Sequence, residues 1–252
     1  MKTRWISGDS DITQKLIIAH RGAPSHAKEN TIESFEKAMV LRADMIEFDV
    51  RRMKDNVLIA YHDALIQGKP IKDLTYGEIS QMARNLGFDI PTVEEVLKWA
   101  KGKIRLDVEL KEEGYEKECA ELLYRYLEED QFVITSFNDT SLRVIKEQYP
   151  DINAGLILGR GIRSYYLLTR FQEFFPMKRS TKAKTDFLVA HWKLLRFGFL
   201  ERARRSHLPV FVWAVNDEER IWKLLHDRRV YAIITDKPDL AVSSREKLSK
   251  FS

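Results

Sequence analysis

The 252-residue chain has one cysteine, Cys119, so an intrachain disulfide is excluded. Cys119 falls at an apolar helical position, which reads as a buried structural thiol. Only 11 glycines and 7 prolines occur beside 44% hydrophobic residues, a balance that excludes a low-complexity chain and suits a packed core. No apolar run approaches the roughly 18 residues that a membrane span needs. The start, Met1-Lys2-Thr3-Arg4-Trp5, lacks the apolar stretch of a signal peptide, so a soluble cytoplasmic protein is expected. Neither sign of charge dominates. A net charge of +4 permits anionic substrates or membrane surfaces but is too small to argue for nucleic acid. There is no repeat, low-complexity segment or linker, so residues 1–252 are expected to form one domain with its core at 16–242.

What is present begins with short apolar runs that end in ionisable residues. Ile18-Ala19-His20-Arg21-Gly22, Glu47-Phe48-Asp49-Val50, Ile59-Ala60-Tyr61-His62-Asp63 and Ile104-Arg105-Leu106-Asp107-Val108-Glu109-Leu110-Lys111 all read this way. A buried strand that opens into a polar site has this pattern. Strands are expected at 16–19, 44–50, 104–110, 132–136, 154–158, 187–190, 209–215 and 231–235, mostly alternating with helices. Thr75 with Glu78 and Thr92 with Glu95 have the spacing of capping boxes. Asn30 with Glu33, and Asn216 with Glu219, are read in the same way, as helix caps. Residues 194–206 and the tail after Asp239 are expected to be helical. Too few residues separate 44–50 from 58–61 for a parallel crossover, so 58–61 is expected to fold back as a hairpin partner. Alternation on this scale predicts a parallel sheet covered by helices. At this length a closed (β/α)8 TIM barrel with one extra hairpin strand after its second strand fits best.

The ordered motifs His20-Arg21-Gly22, Glu29-Asn30-Thr31, Glu47-Phe48-Asp49, His62-Asp63 and Glu109-Leu110-Lys111 resemble those of the glycerophosphodiester phosphodiesterases. Trp213-Ala214-Val215-Asn216 and Thr235-Asp236-Lys237-Pro238-Asp239 extend the likeness to nearly the whole chain. The resemblance implies the barrel fold, metal ligation by Glu47, Asp49 and Glu109, and catalytic histidines at His20 and His62. It also implies a small-molecule substrate such as glycerophosphocholine or glycerophosphoethanolamine, cleaved to glycerol 3-phosphate and an alcohol.

The residue chemistry agrees. Glu47 and Asp49 lie two apart on a strand and share a face. Three carboxylates at neighbouring strand ends repel unless a cation joins them, and oxygen ligands select one hard divalent ion, Mg²⁺ or Ca²⁺. Surface ion pairs are the alternative. Histidine titrates near neutral pH, so His20 and His62 can take and give protons; either could instead be structural. Arg21 can hold two phosphate oxygens, and Lys111 can add a point charge. Trp213 can pack on the glycerol or alcohol, or simply plug the barrel mouth. Asp63 can orient His62 or start a turn. Glu29 is a candidate partner for these groups, Asn30 is read as a cap alone, and His191 is read as a rim histidine. Nothing recommends His26, His207 or His226.

Departures from the family pattern lie mainly after His62-Asp63, where Ala64–Pro70 replaces a longer insertion that encloses the substrate. A more open site and the aromatic stretch 165–175 raise lysophospholipase D activity as an alternative. A phospholipase C-like reaction that stops at a cyclic product is another, and a non-catalytic binder of anionic head groups a third. The basic cluster 178–184 reads as a solvated loop or a weak membrane-surface contact. The oligomeric state is left open.

Overall fold

A computed structural model describes residues 15–159 and 176–249. In chain order the strands are β1 (Leu16–His20), β2 (Met45–Arg52), β3 (Leu58–Ala60), β4 (Leu65–Ile66), β5 (Lys69–Pro70) and β6 (Arg105–Leu110). They continue with β7 (Phe132–Ser136), β8 (Ala154–Leu158), β9 (Phe187–His191), β10 (Val210–Trp213) and β11 (Ala232–Thr235). The sheet runs β1-β11-β10-β9-β8-β7-β6-β2, and β1 also pairs with β2, which closes an eight-stranded parallel barrel. The extra strand β3 pairs antiparallel with β2, as the short connection requires.

Alternation along each strand sorts the side chains. Ile17, Ala19, Ile46, Phe48, Val50, Leu106, Val108 and Leu110 join the core between sheet and helices. Ile18, Met45, Val133, Ile157, Val189 and Ile234 fill the barrel interior. On β2 the inward positions turn from apolar at Met45 to acidic at Glu47 and Asp49, and on β6 the inward Asp107 and Glu109 lie beside them, all four acids buried. Each fully buried aliphatic side chain stabilises by roughly 1.5–3 kcal/mol, and that burial holds the four acids in place.

The helices between strands begin largely where expected. Capping boxes form at Thr75/Glu78 and Thr92/Glu95. Cys119 is buried in the helix Glu116–Tyr126. The tail helix is Pro238–Ser249. Three expectations are corrected. Thr31, not Asn30, caps the helix Ile32–Val40, because Asn30 has φ 57° and cannot hold the extended conformation of a cap. Asp217, not Asn216, caps the helix Glu218–His226. The expected helix at 194–206 divides into a 3₁₀ turn, Trp192–Leu194, and a helix, Phe199–Arg205, because Phe197 and Gly198 both take positive φ.

Residues 64–70 form the small β4–β5 hairpin, whose Ile66 packs with Met53, Ile59, Ile71, Leu74 and Ile79. The basic cluster forms the helix Met177–Ala183, with Arg179 paired to Asp139 and Lys184 to Glu147. The aromatic stretch 165–175 lies outside the described residues. Among the described residues no helix is long and apolar enough to cross a membrane.

Candidate active site

The C-terminal ends of the barrel strands surround a cavity of about 590 Å³. Its polar wall carries His20, Arg21, Glu47, Arg51, His62, Asp107, Glu109 and Lys111. The opposite wall is apolar, with Phe137, Ile157, Val189, Trp213 and Ile234. Asp49 is the one expected site residue that does not line the cavity; it is fully buried just behind it.

The register explains the convergence. His20 lies opposite Glu47 across β1 and β2, and Asp49 opposite Glu109 across β2 and β6. Glu47, Asp49 and Glu109 each place a carboxylate oxygen within 4.8 Å of the other two. Lys111 spans two of them, its Nζ donating to Glu109 Oε1 at 2.7 Å and to Asp49 Oδ1 at 3.0 Å. Arg21 Nε lies 3.2 Å from Asp49 Oδ2, and Arg21 Nη1 donates to Glu29 Oε2 at 3.0 Å. Glu47 Oε2 accepts from the Arg21 backbone N–H at 2.9 Å, whereas buried Glu47 Oε1 has no hydrogen-bond partner. An orphaned buried carboxylate oxygen costs free energy unless something meets it. A hard divalent cation fits that oxygen and the all-oxygen donor set.

Burial, then Asp49 and Glu109, push the Glu47 carboxyl well above the usual range. Burial also raises Glu109, against the opposing pull of Lys111. Asp49 goes the other way: burial alone would raise it, but Lys111 and Arg21 outweigh that and hold it low. Asp49 is therefore compensated by two cations, whereas Glu109 has Lys111 and Glu47 has Arg21, in neither case enough to offset burial and the neighbouring carboxylates. Burial lowers the His62 imidazole, and Lys111 and Arg21 lower it further against the pull of Asp49.

Each candidate histidine has a carboxylate behind it. His20 Nδ1 lies 2.6 Å from Asp236 Oδ1, and its Nε2 lies 3.9 Å from Glu47 Oε2. Asn216 secures Asp236, with its amide donating to Asp236 Oδ2 and its Oδ1 accepting from the Asp236 backbone N–H at 2.9 Å. His62 Nδ1 lies 2.8 Å from Asp63 Oδ1. Arg51, buried and ion-paired with Glu112, donates from Nε to the His62 carbonyl at 2.8 Å.

The turn after His20 is built for close approach. Gly22 has φ 88°, and a Cβ there would lie 2.4 Å from Ser34 Oγ. Asn30 is not a cap but a clamp. Its amide donates to Asp49 Oδ2 at 2.8 Å, and its Oδ1 accepts from the Asp49 backbone N–H at 3.2 Å. Trp213 Nε1 donates to the Leu158 carbonyl at 3.0 Å, while its ring meets Phe137 and His191 edge-on at 5.7 and 5.2 Å.

The sequence profile described as the Glycerophosphoryl diester phosphodiesterase family matches residues 20–240, most of the chain. The chain belongs to this family. It is 28% identical over 246 residues to a Glycerophosphodiester phosphodiesterase of Caldanaerobacter subterraneus, covering 90% of this chain and 96% of that one. A crystal structure of a glycerophosphodiester phosphodiesterase from Parabacteroides distasonis superposes with a TM-score of 0.78 at 27% identity, covering 94% and 98% of the two chains. An Oleispira antarctica phosphodiesterase in complex with the product sn-glycerol-3-phosphate superposes with a TM-score of 0.77, covering 92% and 96%. Its 22% identity makes that likeness one of fold. The expected family, barrel and enzyme class, a glycerophosphodiester phosphodiesterase, are borne out. The acidic triad points to a divalent cation.

Several residues of this phosphodiesterase escaped the sequence reading. Asp236 stood in a noted motif at a strand end, but its contact with His20 spans 216 residues and has no local signal. Asp107 is 1% exposed, accepts from Thr135 Oγ1 at 2.7 Å and is pushed up to about 7 by burial, then by Glu109 and Asp49. Its place two residues before Glu109, on the same face, was legible; its burial was not. Arg51 follows Asp49 by the same two-residue spacing and was equally findable.

Proposed function

We propose that this phosphodiesterase hydrolyses glycerophosphodiesters to glycerol 3-phosphate and a free alcohol. The observation that carries the reading is the convergence of Glu47, Glu109, His20 and His62 at one cavity, with Asp49 just behind it beside the other two carboxylates and with Arg21 and Lys111 between them. Glu47, Asp49 and Glu109 would hold one divalent cation, Mg²⁺ or Ca²⁺. When bound, the ion supplies positive charge to the phosphoryl oxygens and lowers the pKa of an oxygen nucleophile.

The chain's own side chains do the rest. Arg21, held between Glu29 and Asp49, presents its guanidinium to the phosphate. Lys111 shifts from its two carboxylates toward the charge that builds on the phosphate. Asp236 and Asp63 each take the Nδ1–H of their histidine, which leaves Nε2 of His20 and His62 for proton transfer. One ring accepts a proton from the nucleophile, water or the glycerol 2-hydroxyl. The other protonates the leaving oxygen. Attack by the 2-hydroxyl passes through a cyclic phosphate. Trp213 supports the substrate's carbon skeleton on the apolar wall.

The test is product release from glycerophosphodiesters with Mg²⁺ or Ca²⁺ and with EDTA. Turnover that EDTA abolishes and the cation restores supports the reading. No turnover of any glycerophosphodiester with either ion defeats it and favours a head-group binder. Parallel assays on glycerophosphocholine and lysophosphatidylcholine separate it from lysophospholipase D activity. Accumulation of a cyclic product would mark the phospholipase C-like course.

A further inference from the structure

The far rim of the cavity carries Lys193, an exposed residue on the turn Trp192–Leu194 after β9. No ion pair joins it to a described residue. Its backbone N–H donates to His191 Nδ1 at 3.2 Å, which ties the turn to the strand end. Behind it, Trp192 is clamped by Arg220, whose guanidinium lies 3.7 Å from the ring centre. Lys193 Nζ lies 5.3 Å from the same ring. Gly159 makes this wall possible: a Cβ there would lie 2.4 Å from His191 Cβ and 3.3 Å from the Trp213 ring.

Charge is arranged unevenly around the cavity. Its lining carboxylates are Glu47, Asp107 and Glu109, all buried at the triad end. Among the described lining residues none at the Lys193 rim is acidic. A quaternary ammonium is recognised by carboxylates or by an open aromatic face. Beside this rim the Trp192 ring already serves two cations, and on the cavity wall the Trp213 ring is packed against Phe137 and His191. A head group that varies between substrates points away from the triad, and among the described lining residues that end presents an ammonium.

Resting on the proposed glycerophosphodiester hydrolysis, we infer that Lys193 selects the leaving alcohol. With the phosphate at the triad, the alcohol arm runs along Phe137, Ile157, Val189 and Trp213 and ends at the Lys193 ammonium. The preferred arm presents oxygen acceptors, as a polyol does, and choline is disfavoured. Lys193 is a specificity residue and takes no part in the proton transfers.

The experiment measures kcat/KM for glycerophosphoglycerol, glycerophosphoinositol and glycerophosphocholine with the unmodified enzyme and with Lys193→Met and Lys193→Glu. The unmodified enzyme is expected to favour the two polyol diesters by about tenfold, equivalent to ~1.4 kcal/mol. Lys193→Met should erase most of that preference, and Lys193→Glu should reverse it by raising the rate on glycerophosphocholine. A preference for glycerophosphocholine in the unmodified enzyme overturns the inference. So does an unchanged ratio in Lys193→Glu, and in both cases the hydrolytic reading stands. Absence of turnover on all three diesters overturns the hydrolytic reading and this one with it.

Discussion

Asp107 gives the sharpest quantitative test of the site's electrostatics. Its carboxyl sits inside the barrel, 1% exposed, between Thr135 and the acidic triad. Burial first, then the charges of Glu109 and Asp49, push it from an ordinary 3.8 to about 7, although the Thr135 hydrogen bond pulls the other way. An acid raised on folding binds more protons in the folded than in the unfolded chain between those two values. Stability must therefore fall as pH rises through that window. At 1.36 kcal/mol per pH unit, the buried carboxyl costs roughly 1.5 kcal/mol at pH 5, where it must take up a proton on folding, and about 4 kcal/mol at pH 8, where it is buried ionised. Asp107→Asn keeps the acceptor for Thr135 Oγ1 and removes the charge. In EDTA at pH 8 it should stabilise the protein by ~2–4 kcal/mol, or roughly 5–15 °C in Tm. At pH 5 the gain should be about 1.5 kcal/mol or less. Thermal unfolding of both proteins at the two pH values is the assay. A variant less stable than the parent at pH 8, or a Tm change independent of pH, would refute the reasoning.

Two further predictions follow from the same geometry. His20→Ala and His62→Ala should each lower kcat by ~10²–10⁴-fold with Tm near the parent value, and near-normal rates in either would show that proton transfer is misassigned. Asn30→Ala removes both hydrogen bonds to Asp49 and places alanine at φ 57°, so it should cost ~2–4 kcal/mol. It should also weaken the thermal stabilisation by Ca²⁺ or Mg²⁺ about tenfold in apparent affinity; an unchanged affinity would show that the Asn30 clamp does not orient a ligand.

Much of the site was legible because strand periodicity carries it. Glu47 and Asp49, or Asp107, Glu109 and Lys111, are two apart on a strand and share a face whatever surrounds them. The hairpin at β3 was legible from the shortness of its connection. Local helix signals succeeded at Thr75 and Thr92, where both partners of the capping box lie within one turn. They failed at Asn30 and Asn216, which have the same composition but spend their amides on Asp49 and Asp236. A cap motif read locally cannot compete with a buried carboxylate that arrives from another strand. The 194–206 segment failed for a different reason: Phe197 adopts a positive φ that its residue type disfavours.

The sequence alone determined which chemistry is available: three carboxylates, two histidines, an arginine and a lysine, each at the end of an apolar run that must be buried. Hydrophobic alternation requires no partner to be known, so these features survive in one dimension. Only the closed barrel decided who meets whom. Joining β1 to β11 brings Asp236 to His20, and joining β2 to β6 brings Glu109 to Asp49. Burial, a property of the whole packed barrel, then raises Glu47, Asp107 and Glu109 while Lys111 and Arg21 hold Asp49 ionised. Those contacts and charges depend on distances between residues far apart in the chain, which no local pattern encodes.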